Sequence, residues 1–158
     1  MKLGKPGSTF DAYEWVTDIS NRLIIELKKA HNILEEAHTR FFSNYNISYT
    51  KFNVLVILFK AESEGIMLSE IGDRLLVTKA NITGLIDRLE KQGYVKRIRN
   101  GEDRRKIMAA ITEKGRVFTQ NVIESYKKWS DNILSNLKED EKNQMINALK
   151  KIQLEMVS

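Results

Sequence analysis

From Ser8 to Glu64 the chain runs without a glycine or a proline. Reverse turns draw heavily on those two residues. So long a stretch without either predicts long helix rather than a series of short elements. Six of the eight glycines (Gly65, Gly72, Gly84, Gly93, Gly101 and Gly115) fall between 65 and 115, and Gly4 and Gly7 lie in the N-terminal tail. Short elements are therefore expected in the middle of the chain and long helices on both flanks.

On the N-terminal flank, Phe10, Tyr13, Ile19, Leu23, Leu27, Leu34 and Phe41 recur mostly three, four or seven apart, the spacing of an amphipathic helix. Ser8 or Thr9 is the predicted cap, with Asp11 in the first turn, and Ser43-Asn44-Tyr45-Asn46 ends the pattern. A helix of roughly 35 residues would be about 50 Å long. A monomer of this size has a radius of gyration near 15 Å, so such a helix would outrun its own domain. On the other flank Val117, Phe118, Val122, Tyr126, Trp129 and Ile133 form one stripe. Leu137 to Glu141 breaks it, and Met145, Ile146, Leu149, Ile152 and Met156 form a second. Part of each stripe must serve an intramolecular core. Two long amphipathic termini with no sheet to cover nevertheless favour a homodimer.

Charge follows the same division. Residues 68–116 carry 12 Lys+Arg and 7 Asp+Glu, while the rest of the chain carries 14 of each. The whole formal excess of +5 thus belongs to the centre, which permits nucleic acid as a partner without establishing it. The chain has 158 residues and no cysteine, which excludes disulfides, thiol catalysis, thiol redox sensing and thiolate zinc sites. The longest apolar run, Val54 to Phe59, is far short of a membrane span, and no apolar segment follows the basic start. A cytoplasmic protein with no membrane partner is the expectation.

The central segment predicts a winged helix-turn-helix. Lys51–Ala61 is helix-like, Glu64-Gly65 breaks it, Leu68–Leu76 is a short helix and Lys79–Lys91 another, with Thr78 as the N-cap of the latter. Ile82, Leu85, Ile86 and Leu89 share an inward face. Lys79, Ala80, Asn81, Thr83, Gly84 and Asp87 lie beside or opposite it, short-chained near the helix start, as close approach to base edges requires. Gly84 in mid-helix costs about 1 kcal/mol against alanine and is expected to have a reason such as contact with DNA. Tyr94–Arg99 and Ile107–Ile111 read as paired strands joined through Asn100-Gly101, with Arg104-Arg105-Lys106 near the tip. Singly, these are a solvated charged turn and an ordinary helical hairpin. In this order and at this spacing they read as a recognition helix followed by a basic wing.

The stretch Thr78-Lys79-Ala80-Asn81-Ile82-Thr83-Gly84-Leu85-Ile86-Asp87-Arg88-Leu89-Glu90-Lys91-Gln92-Gly93-Tyr94-Val95 resembles the MarR (multiple antibiotic resistance regulator) family of transcription factors. The similarity continues through Asp103-Arg104-Arg105-Lys106 and Ile111-Thr112-Glu113-Lys114-Gly115, which resemble the family's Asp-x-Arg wing and Leu-Thr-x-x-Gly signature. Tyr94 and Ile111 each stand where the family has Leu.

The resemblance implies a mainly α fold with a small β-hairpin wing: a winged helix-turn-helix lobe on a helical dimerisation base. It implies a flexible tail (1–8), an N-terminal dimerisation helix (9–47), a DNA-binding lobe (48–112) and C-terminal dimerisation helices (113–158). Lys79, Ala80, Asn81, Thr83 and Gly84 map to the major-groove face, Ser69 and Thr78 to phosphate contacts, and Arg104, Arg105 and Lys106 to the wing contacts. Asp103 maps to a residue organising the wing, and Asp87 and Arg88 are candidates to tie the recognition helix to it. The expected function is a sequence-specific regulator, a repressor. It would bind a pseudo-palindrome in double-stranded DNA as a homodimer and be released by a small-molecule effector, aromatic or drug-like.

The alternative reading is a winged helix used only for protein contacts. An enzyme is not expected: there is no phosphate-cradling glycine loop and no Ser-His-Asp arrangement. No cofactor is implied. His31, Glu35 and His38 share a helical face, but the rest of a metal ligand set is not apparent, so no metal is expected. Tyr13, Trp15, Phe41, Phe42, Tyr45, Tyr49 and Phe52 are available to line an effector pocket, with core packing the plainer use for most of them.

Overall fold

The short sequence Asp18-Ile19-Ser20-Asn21 starts the first helix. Asp18 has extended backbone (φ −89°, ψ 151°) and its carboxylate accepts a hydrogen bond from the Asn21 backbone N–H at 2.9 Å. That bond holds the Asp18 carboxyl below the usual carboxylate range. The computed structural model of the chain describes residues 17–61, 65–75, 78–99 and 107–157. Helix α1 spans Ile19–Ser43, 25 residues, shorter than the roughly 35 that apolar spacing suggests. Its cap is Asp18 rather than Ser8 or Thr9, which lie outside the described residues. Apolar spacing registers a face and not a start, whereas the extended backbone at Asp18 is incompatible with helix continuing through it.

The chain forms two units, the first ending at Lys51 and the second running from Phe52. In the first, α1 closes on an aromatic cluster. Phe42 is fully buried, Phe41 meets it edge-on at 4.9 Å, and Tyr45 lies 5.3 Å from Phe41. Tyr49 stands 5.5 Å from Phe42 and stacks on His38 at 4.5 Å. Asn46, at φ 54°, makes the left-handed step out of α1, a conformation asparagine tolerates better than most residues.

The rest of the chain supplies α2 (Tyr49–Lys60), β1 (Ile66–Met67), α3 (Leu68–Leu75), α4 (Lys79–Lys91), β2 (Val95–Arg99), β3 (Ile107–Ile111), α5 (Glu113–Ile133) and α6 (Glu139–Val157). The predicted hairpin is present. β3 pairs antiparallel with β2, from Val95 opposite Ile111 to Arg99 opposite Ile107. It also pairs on its other edge with β1, which sequence periodicity did not show, because two residues carry no period. Gly65 makes that pairing feasible: its φ is +80°, and a Cβ there would stand 2.8 Å from the Ala109 carbonyl oxygen.

The core of this unit draws on Val54, Leu55 and Leu58 of α2, Ile71 of α3, Ile82, Ile86 and Leu89 of α4, and Val95 and Ala109 of the sheet. The inward face predicted for the second short helix is thus the one that is buried. The fold is mainly α with a small β-hairpin wing, a winged helix-turn-helix lobe preceded and followed in the chain by long helices. Among the described residues, no helix is long and apolar enough to cross a membrane.

Candidate nucleic-acid interface

Thr78 has extended backbone, and its hydroxyl accepts from the Asn81 backbone N–H at 3.4 Å, so it caps α4 as predicted. Ala80, Asn81 and Thr83 are exposed on the first turns of that helix, and Gly84 is half-buried. Lys79 is its first residue. Ser69 is exposed in the first turn of α3. Ser69, Ala80, Asn81 and Thr83 are therefore exposed near the starts of the two helices of the helix-turn-helix. A Cβ at Gly84 would meet only the Arg88 guanidinium, at 3.6 Å, so no described part of the chain requires glycine there. Asp103, Arg104, Arg105 and Lys106 belong to the connection 100–106 between β2 and β3, outside the described residues.

The hairpin that carries this connection is anchored at its base by Thr112, Gly115 and Lys114, and the geometry explains the Thr-x-x-Gly signature. The Thr112 hydroxyl caps α5, accepting from the Gly115 N–H at 3.0 Å, and donates to the Gly93 carbonyl at 2.7 Å. A Cβ on Gly115 would stand 2.0 Å from the Tyr94 carbonyl oxygen, so only glycine lets α5 come this close to the turn after α4. Lys114 donates to the Gln92 carbonyl at 2.8 Å, with its ammonium 5.1 Å from the Tyr94 ring centre. Tyr94 in turn stacks on Phe118 at 4.2 Å. Gly93, at φ +78°, makes the turn from α4 into β2.

A second tie joins α4 to β2. Of the two α4 residues suggested by sequence for this tie, Asp87 makes it, pairing with Arg97 of β2. Arg97 also donates from Nη1 to Glu90 Oε2 at 2.5 Å and from Nη2 to the Thr83 carbonyl at 3.4 Å, and its backbone N–H donates to Glu90 Oε1 at 3.1 Å. Partial burial disfavours the guanidinium charge, but Asp87 and Glu90 outweigh it and raise the Arg97 pKa above its already high ordinary value. Sequence reasoning passed over Arg97. A signal existed: strand alternation puts it on the same face as buried Val95, opposite acids spaced three apart on α4.

His31, Glu35 and His38 do not converge as a metal site. His38 is buried with Nδ1 3.9 Å from the Glu35 carboxylate, whereas His31 is exposed. Among the described residues no three His, Cys, Asp or Glu side chains are arranged to hold a metal ion. Of the aromatics considered for a pocket, Phe41, Phe42, Tyr45 and Tyr49 pack on one another and Phe52 lies 5.9 Å from Tyr126. Tyr13 and Trp15 lie outside the described residues. An open groove of about 320 Å³ is lined instead by Phe59, Arg116, Val117, Gln120 and Asn121, with the Arg116 guanidinium 5.4 Å from the Phe59 ring centre.

Comparison with known proteins agrees with this architecture. The MarR family model matches residues 47–107. The chain is 33% identical over 130 residues to the HTH-type transcriptional regulator PapX of Escherichia coli, covering 82% of this chain and 77% of that protein. It is 30% identical over 122 residues to the HTH-type transcriptional repressor YetL of Bacillus subtilis (strain 168), covering 77% and 71%. Among solved structures, AbsC, a MarR family transcriptional regulator from Streptomyces coelicolor, superposes with a TM-score of 0.80 at 20% identity over 90% of this chain and 97% of that one. The S. aureus MepR protein from its DNA complex gives 0.75 at 17% identity over 89% and 99%. These relatives are transcriptional regulators, and with the helix-turn-helix and hairpin geometry described above they establish that the chain belongs to the MarR family of DNA-binding transcriptional regulators.

Proposed function

We propose that the protein is a repressor that binds a pseudo-palindromic operator as a homodimer and is released by a small-molecule effector. The observation that carries the operator reading is the start of α4. Thr78 caps it by accepting the Asn81 backbone N–H, and Ala80, Asn81 and Thr83, exposed on its first turns, are short. A helix presented by its N-terminal turn reaches base edges in the major groove, and Asn81 offers the amide that pairs with adenine. Ser69 and Thr78 stand where hydroxyls meet phosphates, and Arg104, Arg105 and Lys106 supply the wing cations. Asp103 orders those cations.

Apolar side chains on the first half of α1 (Ile19, Leu23, Ile24) and along α6 (Met145, Ile146, Leu149, Leu154, Met156) are exposed in the single chain. A second copy covers them in this reading, which spaces the two lobes for half-sites about 10–10.5 bp apart. The effector acts by favouring a lobe separation that misses the two grooves. The groove at Phe59 and Arg116 pairs an aromatic ring with a cation and suits an aromatic acid.

Binding of Asn81→Ala and Arg105→Ala to duplexes selected from a random library by the native protein tests the assignment. Asn81→Ala is expected to relax preference at one or two base positions, costing about 1–3 kcal/mol there. Arg105→Ala is expected to weaken all duplexes alike and reduce the salt slope by about one contact. Equal loss on every sequence with Asn81→Ala would remove the base-reading role. Failure of the native protein to select any duplex would favour the protein-contact reading instead.

A further inference from the structure

Arg97 lies on β2, opposite Ala109 of β3, and its guanidinium reaches across to three groups of α4. Those groups, the Thr83 carbonyl and the Asp87 and Glu90 carboxylates, are spaced four and three residues apart and so lie along one side of the helix. The Arg97 backbone N–H adds a fourth bond, to Glu90. A planar fork held at several points fixes direction as well as distance, which a lysine ammonium cannot do.

Two features separate this cluster from an ordinary surface ion pair. The first is electrostatic. Asp87 and Glu90 place two negative charges on the helix proposed to face a polyanion, which by themselves oppose DNA binding. The second is geometric. Thr83, whose carbonyl the cluster holds, belongs to the proposed base-facing residues, while β2 leads directly into the connection that carries Arg104, Arg105 and Lys106. The cluster therefore joins the segment proposed to read bases to the segment proposed to neutralise phosphates. Partly exposed ion pairs contribute little to folding stability, so its main consequence is orientation.

We propose that Arg97 is a positioning residue for DNA recognition: by clamping Thr83, Asp87 and Glu90 it sets the rotation of α4 against the wing, so that both engage one duplex in register. The inference rests on the operator reading above, and its test is arranged so that the two fail separately.

Affinity is measured by fluorescence anisotropy for two duplexes. One is selected from a random library by the native protein, and the other is a scrambled duplex of the same composition. Arg97→Met is expected to reduce the selected-to-scrambled affinity ratio by about tenfold or more. Asp87→Asn removes a negative charge and by electrostatics alone would tighten DNA binding. If Asp87 serves the clamp, this variant also lowers the ratio, and the double variant loses no more than the worse single one. Arg97→Lys is expected to recover little of the loss, since it keeps the charge without the fork.

Circular dichroism melting establishes that each variant is folded. Should Arg97→Met not fold, Asp87→Asn, a near-isosteric change on a half-exposed side chain, decides the question alone. Equal weakening on both duplexes with Arg97→Met, a salt slope lower by about one, and tighter binding with Asp87→Asn would identify Arg97 as a plain phosphate contact and overturn the proposal. A native protein that selects no duplex overturns the operator reading and this inference with it. A selected duplex whose ratio neither variant changes overturns this inference only.

Discussion

Helices α4 and α6 have similar apolar content but opposite fates. In α4, Ile82, Ile86 and Leu89 are wholly buried against α2, α3 and the sheet. No described residue of α6 is buried: Met145 and Ile146 are about half exposed, Leu154 is 73% exposed and Met156 81%. One helix finishes its packing within its own chain, and the other leaves an apolar stripe to be finished by something else. Amphipathicity alone does not say which. The difference lies in the neighbours: α4 sits between short elements that turn back on it and share its core, whereas no described residue of α6 is buried against another element. The core of the lobe is thus complete within the chain, whereas α6 leaves its apolar stripe exposed.

The largest effect expected from this contrast is in the lobe. Leu89→Ala removes a side chain with no solvent exposure from the hydrophobic core of the lobe and leaves a cavity there. Chemical denaturation should show a loss of about 2–5 kcal/mol. A loss below 1 kcal/mol would mean that the lobe relaxes around the gap and is less firmly packed than its burial indicates.

The corresponding change on α6 is Ile146→Glu. As a surface substitution in a lone chain it should alter stability by no more than about 0.5 kcal/mol. If a second copy covers the α6 stripe, the same change raises the dimer dissociation constant by about 30- to 1,000-fold, or 2–4 kcal/mol, leaving the circular dichroism of the lobe intact. Sedimentation velocity across micromolar concentrations distinguishes these outcomes. An unchanged dimer constant would place the interface elsewhere.

The same contrast explains how much of the molecule could be read from sequence. The limits of α4 were legible because each end has a local chemical marker, Thr78 as a cap and Gly93 at φ +78°. The hairpin was legible through two short strand-like runs and the Asn100-Gly101 turn signal between them. What escaped depended on partners remote in sequence. β1 exists because Ile66 and Met67 pair with Ala109 and Met108, some forty residues later in the chain. Arg97 acquires its role from Asp87 and Glu90 on another element. The start of α1 was displaced because apolar residues at the right spacing precede Asp18 as well as follow it. Gly115 was legible as part of a family signature, but its physical reason, the Tyr94 carbonyl 2.0 Å from any Cβ, appears only in three dimensions.

Helix α1 contains both behaviours, which makes its far end the finest test. Ile19 and Ile24 are exposed like α6, yet His38 and Phe42 are buried like α4. Burial disfavours the charged imidazole and lowers the His38 pKa, and the Glu35 carboxylate at 3.9 Å only partly opposes this. The Phe42 ring and the stacked Tyr49 ring lie beside it. In the unfolded chain the group takes up a proton near pH 6.5, and in the folded chain only at lower pH. The unfolded state therefore binds more protons in that interval, so stability falls as pH drops below about 6.5 and the loss is complete below the folded pKa. His38→Phe keeps a ring against Tyr49 but has no proton to bind. Its melting temperature should fall less than that of the native protein between pH 7.5 and pH 5, at one protein concentration. Identical slopes would show that His38 is hydrated in solution, and that this end of α1 is open like its beginning.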